Sequence, residues 1–468
     1  MRGLAADTAL AELWQLGEGA AVALDQVRLT GHDPVLPSSF AVGSLAQATI
    51  AAAGLAAARL WDLKAGRRQT VSVDMLHAAI EFRSERYLAT DPPPPAPWDK
   101  IAGLYRTRDD RFVRIHTNFP HHRDGVLAML GCGYDRDAVQ RALLTWDGED
   151  FETAAAARDL VATLYRSPAQ WSAHPQGQAV AALPILEIAR IGQAPIEPLP
   201  AGPRPLSGIR VLDLTRIIAG PVGGRTLAAH GADVLLVTSP ALPAIPGLVI
   251  DTGRGKLSTS LDLNLPSDHA ALSDLVRDAD VFIQGYRPGG LAARGFAPDA
   301  LAALRPGIVA VSLSAYGHAG PWAVRRGFDS LTQNANGINF AEAEAAGSDR
   351  PRELPAQALD HGAGYLIAFG AMMALHRRAT EGGSWHVRVS LAQVGEWLKR
   401  MPRVAGGLAA PDPSAGDVAD LLETSSSGFG RITAVRHAAI LSATPAHWAR
   451  PAVPLGTHPP AWPSRTAG

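Results

Sequence analysis

The segment Asp360-His-Gly-Ala-Gly364 sets a carboxylate in front of a long apolar run that ends near Arg378. Two roles are open to it. An aspartate at a helix entry caps the first turn by accepting backbone N–H bonds. The same carboxylate is also a candidate nucleophile, able to attack an activated acyl group and form a mixed anhydride. Neighbouring backbone N–H groups would then bind the developing oxyanion, and Gly362 and Gly364 would let the substrate come close. Other loops offer charge. Arg216–Gly224 brings Ala219, Gly220 and Pro221 to a helix entry, where anions are attracted. Thr252-Gly-Arg-Gly-Lys256 holds Arg254 and Lys256 among glycines, which suits a phosphate-rich ligand, although a solvated loop is the plainer reading. Tyr286-Arg287-Pro-Gly-Gly290 pairs an aromatic face with a guanidinium, and Gly317–Trp322 followed by Arg325-Arg326-Gly-Phe-Asp329 repeats the theme.

The elements that must position these loops form an α/β alternation. Strands are expected at 209–214, 232–237, 280–283 and 308–314, with helices at 221–230 and 267–278. Each loop follows a strand C-terminus, where open parallel sheets bind ligands. The arrangement predicts a Rossmann-like parallel sheet with a second, smaller α+β domain. The first loop is not GxGxxG, and Val237-Thr238-Ser239 puts no acid at the end of the second strand, so a nicotinamide cofactor is not expected. The proline-rich segment 195–206 marks a domain boundary. Before it, a helix is expected over 39–63, a strand over 69–76, a helix continuing to Leu88, and a strand over 112–117. The expected domains are therefore 1–200, 206–400 and a tail, 401–468, whose Gly/Pro/Ser-rich stretch 404–430 reads as mobile before the chain packs back on the sheet. Laying 44–82 over 360–398 without gaps matches Gly54 to Gly370, Gly66 to Gly382, Val71 to Val387 and Val73 to Val389, an internal repeat in which Ser44 stands opposite Asp360.

Composition narrows the functions. With 43 Lys+Arg against 44 Asp+Glu, the net charge of −1 gives no electrostatic case for nucleic acid or an anionic membrane. One cysteine, Cys132, excludes an intrachain disulfide framework and a cysteine-rich zinc site; no metal is expected, and a cytoplasmic location is. The first residues carry Asp7 and Glu12 and do not read as a secretory signal, and the alanine-rich run 39–60 reads as a buried core helix.

The loops, in this order, resemble the family III CoA-transferases (CaiB/BaiF family), which include α-methylacyl-CoA racemases. The matching stretches are PLSGIRVLDLTRIIAGP, GADVLLV, GRGKLSTSLDL, ADVFIQGYRPGGLAARGF, LRPGIVAVSLSAYGHAGPW, RRGFDSLTQNANG and GGSWHVRVSL, with PAVPLGTHPPAW near the C-terminus. Residues 33–200 resemble the family's later, small-domain portion displaced to the front. The resemblance implies that Asp360 is the catalytic aspartate, forming aspartyl anhydride and aspartyl-CoA thioester intermediates. It also implies that Ala219, Gly220, Pro221, Arg254, Lys256, Tyr286, Arg287 and Arg326 contact CoA. Acyl-CoA and a small carboxylic acid would be substrates, no cofactor would be permanently bound, and the chain would form a homodimer. Thr238 and Ser239 replace the usual acidic and basic pair after the second strand, and Gly253 replaces a usual asparagine. Racemases of the family need a histidine where this chain has Phe328, so racemisation is the alternative that resemblance disfavours; a catalytically degenerate CoA-binding protein is the other.

Overall fold

The computed structural model describes residues 5–464. Its central sheet has seven strands: β1 (Leu186–Gly192), β2 (Arg210–Leu214), β3 (Asp233–Thr238), β4 (Lys256–Ser260), β5 (Val281–Gln284), β6 (Val309–Ser314) and β7 (Ser384–Ser390). The spatial order is β4-β3-β2-β5-β6-β7-β1. All neighbours are parallel except β1, which lies antiparallel on β7. The apolar runs in β2, β3 and β5 are buried on both faces, as parallel strands covered by helices must be. Strand order reverses at β2. The chain therefore leaves the ends of β2 and β5 in opposite directions and opens a crevice there.

Four helices matter for the site: α1 (Val42–Ala65), α2 (Ala219–Ala229), α3 (Asp329–Ala335) and α4 (Ala358–Glu381). Helix α4 is the core element, packed against α1, α2 and β7. It is the one described helix long and apolar enough to cross a membrane, and its apolar 18-residue stretch is buried within the protein. It crosses α2 closely because both partners are glycine at the contact: a Cβ on Gly364 would lie 2.6 Å from the carbonyl oxygen of Ala219, and one on Gly223 would lie 2.6 Å from Ile367 Cγ2.

Three expectations are corrected. The sheet does not begin after the proline-rich segment: β1 precedes it and supplies hydrogen-bond partners for the otherwise open edge of β7. The strand expected at 69–76 is confined to Val71–Asp74, and the helix that follows stops at Glu81. The end of the stretch expected to be mobile is paired instead: Leu422–Ser427 runs antiparallel to Gly430–Val435, and just beyond it Ala439–Leu441 lies antiparallel on Val71–Val73. The tail beyond it is tied to the sheet, His458 donating its backbone N–H to Ser258 at 2.7 Å and Trp462 Nε1 donating to Leu275 at 3.0 Å.

The smaller α+β domain joins Gly103–Arg106, Phe112–Ile115 and Ala162–Leu164 in an antiparallel sheet covered by three helices between residues 120 and 156. It has its own core around Tyr105, Val113, Val139 and Phe151. It docks on α3: Asn334 Nδ2 donates to the Thr163 carbonyl at 3.0 Å, and Thr163 Oγ1 donates to the Leu331 carbonyl at 3.1 Å.

Candidate active site

Asp360 is the third residue of α4 and is only 7% exposed. It is not the cap of its helix. Asp329, the first residue of α3, fills that role: its Oδ2 accepts the N–H of Leu359 at 2.8 Å and of Asp360 at 2.9 Å. Gln333 holds the other Asp329 oxygen. The expected oxyanion site is corrected by the same geometry. Those two N–H groups belong to Asp329, and the His361 N–H bonds to Gln357 at 3.0 Å. Gly362 and Gly364 likewise give no approach to substrate, since Gly362 faces Val394 and Leu45 while Gly364 receives α2.

The Asp360 carboxylate is left without a hydrogen bond to any described residue, and its surroundings disfavour its charge. Burial raises its pKa well above the usual carboxylate value, and the nearby Asp329 and Glu85 raise it further. Glu85 reaches the site from the N-terminal half of the chain and meets His361 Nε2 at 3.1 Å, while the His361 ring stacks on Phe82. Glu85 thus serves two successive residues of α4: it bonds His361, and its charge bears on Asp360.

Two predicted phosphate-binding cations lie buried in ion pairs. Lys256 is buried in the sheet, with Nζ 2.7 Å from Asp213 Oδ2 and 2.7 Å from the Pro221 carbonyl. Arg254 is buried as well, with Nη2 3.0 Å from Asp251 Oδ1, Nη1 2.8 Å from the Val435 carbonyl, and its guanidinium 4.1 Å from the Trp448 ring centre. An anionic ligand would have to displace these carboxylates in a dry interior, and leaving a buried carboxylate unpaired costs about 3–5 kcal/mol. The glycines of the first loop are packing residues too: a Cβ on Gly220 would lie 2.3 Å from Thr215 Cβ, and one on Gly224 would lie 2.4 Å from Asp213 Oδ2.

Accessible cations gather instead at the sheet crevice. Arg287, after β5, donates to Asp159 of the small domain at 2.8 Å, and Arg326 approaches the same carboxylate at 3.9 Å. Their side chains are 46% and 35% exposed, so both remain reachable by an incoming anion. Arg216, after β2, lies 4.8 Å from the Phe119 ring centre, and Tyr286 is half-buried near it, its hydroxyl pKa raised by burial and moderated by Arg216. The backbone here is strained: Ile217 has φ of 74°, a left-handed conformation that β-branched residues rarely adopt. A narrow cleft of about 50 Å³ opens beside this loop, walled by Arg216, Ile217, Pro221, Leu248 and the departing residues Thr238 and Ser239.

The small domain roofs this region. His116 stacks on Phe328 with ring centres 3.9 Å apart and planes 11° apart, and Phe119 and His122 pack against the same ring. Burial, aided by neighbouring positive charge, pushes both His116 and His122 down to about 3, so both imidazoles are neutral at physiological pH. Sequence reasoning did not put forward Asp213, Arg216, Glu85 or His116 as site residues. For Asp213 a signal existed, a lone acid inside an apolar strand; for Glu85 and His116 there was none, because their partners lie more than two hundred residues away.

The chain belongs to CoA-transferase family III: the family's model matches residues 206–461, which hold the sheet from β2 onward, the crevice loops and Asp360. Among its relatives, the acetyl-coenzyme A transferase of Hypoxylon pulicicidum is 32% identical over 324 residues, 64% of this chain and 54% of that protein. A probable fatty acyl-CoA transferase of Mycobacterium tuberculosis is 30% identical over 230 residues, 45% of this chain and 58% of that protein. A solved CAIB/BAIF family protein from Brucella suis is 28% identical, with 49% of this chain and 65% of that one covered and a TM-score of 0.39. The chain spans about half the length of the curated relatives it matches.

Proposed function

We propose that this chain transfers CoA from an acyl-CoA thioester to a carboxylic acid, with Asp360 as nucleophile. The observation that carries the reading is a buried carboxylate that the fold does not use: Asp329 caps the helix, and Asp360 is left unbonded beside it. A desolvated carboxylate is a strong nucleophile, and attack on a thioester removes its charge. An Asp360 oxygen adds to the thioester carbonyl, the C–S bond breaks, and CoA thiolate leaves with the bonding pair. The thiolate then attacks the aspartyl carbonyl and releases the donor carboxylate. The acceptor carboxylate repeats these steps in reverse, taking the CoA and freeing Asp360. Negative charge leaves the site in which Asp329 and Glu85 oppose it. Close burial of Asp360 also keeps water from an anhydride that would otherwise hydrolyse. Arg216, Arg287 and Arg326 at the crevice are the cations available to CoA phosphates.

The test is to incubate the protein with a panel of acyl-CoAs, trap with hydroxylamine and map the adduct by mass spectrometry. A hydroxamate at Asp360 is expected, and transfer by Asp360→Ala at the wild-type rate would overturn the assignment. One observation favours a second reading, proton exchange at the carbon next to the thioester. Phe328 itself cannot move a proton, but the neutral imidazoles of His116 and His122 lie against it. Deuterium uptake from heavy water into a 2-methylacyl-CoA, lost in His122→Ala, would support that reading over transfer.

A further inference from the structure

At the far end of α4 from Asp360 lies a second cavity, of about 410 Å³, within the range of about 300–1,000 Å³ usual for small-ligand sites. His376 on its wall is sixteen residues after Asp360 on the same helix, or about 24 Å along the axis. The cavity is therefore separate from the candidate active site. It is two-sided. Arg59, Arg68, Asp62 and His376 give a polar wall, and Val22, Leu55 and Leu63 an apolar one.

The polar wall has a cation to spare. Asp62 lies 3.7 Å from Arg68, and no carboxylate of a described residue comes within ion-pair distance of Arg59. Arg59 Nε is buried without a hydrogen-bond partner among the described residues, and the guanidinium lies 5.9 Å from the Trp14 ring centre, with the charge of Asp62 also acting on it. His376 adds no charge to this wall: burial, with Arg59 and Arg377 nearby, holds its pKa at about 4, neutral at physiological pH. A carboxylate meets the guanidinium of Arg in a fork geometry no neutral group matches. The apolar wall is unusually open as well: Val22 is 60% exposed and Leu63 44%. A free phosphate would use the cation and leave that surface bare.

We infer that this cavity binds an amphiphilic monocarboxylate, its head on Arg59 and a short to medium aliphatic chain along Val22, Leu55 and Leu63. The inference does not depend on the transferase reading, since no residue of this cavity belongs to the crevice or to the Asp360 site. The test is calorimetric titration of the full chain with octanoate, with a thermal-shift readout of the same ligand. Saturable binding is expected, weakened about tenfold or more by Arg59→Gln, and weakened again by Leu63→Asp at a surface position that tolerates charge. Octylamine, with the same chain and the opposite charge, should not bind. Asp360→Asn should bind octanoate as wild type does. Absence of saturable binding, equal affinity in Arg59→Gln and Leu63→Asp, or displacement of octanoate by CoA would each overturn the assignment.

Discussion

Two helices of 24 residues, α1 and α4, run side by side through the core, and their surroundings correspond closely. Each stops at a glycine with positive φ, 64° at Gly66 and 70° at Gly382. Each is followed by a short strand whose last residue, Asp74 or Ser390, caps a further helix. Each carries a glycine that seats the strand: a Cβ on Gly54 would lie 2.9 Å from Val71 Cγ1, and one on Gly370 would lie 2.6 Å from Val387 Cγ1. Each first turn also meets a carboxylate from elsewhere in the chain. Asp33 Oδ2 takes the Ser44 N–H at 3.0 Å and the Ser44 hydroxyl at 2.6 Å, and Asp329 Oδ2 takes the N–H groups of Leu359 and Asp360. The difference that bears on chemistry lies at the third residue of each helix. Ser44 commits its hydroxyl to its capping carboxylate, whereas Asp360 is a second carboxylate that the helix end does not need. One carboxylate satisfies the helix end, and in the proposed reading the surplus one is the nucleophile.

The largest effect that can sharpen this contrast is on activity. Asp360→Asn should lower CoA transfer by about a thousandfold or more, because an amide cannot form the anhydride. Ser44→Ala should leave the turnover number within about twofold, since the Asp33 cap keeps the Ser44 backbone N–H. Steady-state rates for both variants decide it, and comparable losses at the two positions would erase the distinction. Next come the two seating glycines. Added volume in a packed core costs about 1–3 kcal/mol, while Ala in place of Gly returns roughly 0.5–1 kcal/mol in a helix. Gly370→Ala, with the tighter contact and Leu186 Cδ1 also 3.0 Å away, should be destabilised by about 1–2 kcal/mol. Gly54→Ala should fall closer to neutral, and urea melts of the pair rank them.

What was legible in the sequence follows the same division. The strand and helix alternation after residue 206 could be read because buried parallel strands are written as apolar runs, and Asp360 could be singled out because it stands where a long apolar helix begins. Arg254 and Lys256 could not be placed: glycines around two cations read as a solvated loop, and the carboxylates that bury them, Asp251 and Asp213, are not recognisable as partners from spacing. The edge strand β1 was missed because prolines separate it from the sheet it completes. That Asp360 is not the cap of its helix could be seen only by finding Asp329 on the helix end, a contact between residues thirty-one apart in the chain.

A smaller effect distinguishes the two capping carboxylates. Asp329→Asn and Asp33→Asn should each cost about 1 kcal/mol of stability, since a neutral amide oxygen is a weaker acceptor for a helix end. Only Asp329→Asn removes a charge that opposes ionisation of Asp360, so only there should the rising limb of the pH–rate profile move to lower pH. Equal shifts in both variants would mean that Asp329 acts through the fold and not through its charge.

The smallest effect is on stability against pH, and its sign is diagnostic. The folded-state pKa of Asp360 lies above its unfolded value, because of burial first and the charges of Asp329 and Glu85 after it. The folded protein therefore binds more protons than the unfolded chain between those two values, and its stability falls as pH rises through that window. Below the unfolded pKa Asp360 is protonated in both states and contributes no such difference. Asp360→Asn removes the penalty, so the variant should be more stable than wild type above the folded pKa, with the gap closing in acid. Ser44 does not titrate, and Ser44→Ala should show no pH-dependent gap of this kind. Thermal melts across the pH range compare the two variants directly. A gap of the opposite sign for Asp360→Asn would mean that its carboxylate holds the helix end together, as the carboxylate of Asp33 does beside Ser44, and that the two ends of the comparison are alike after all.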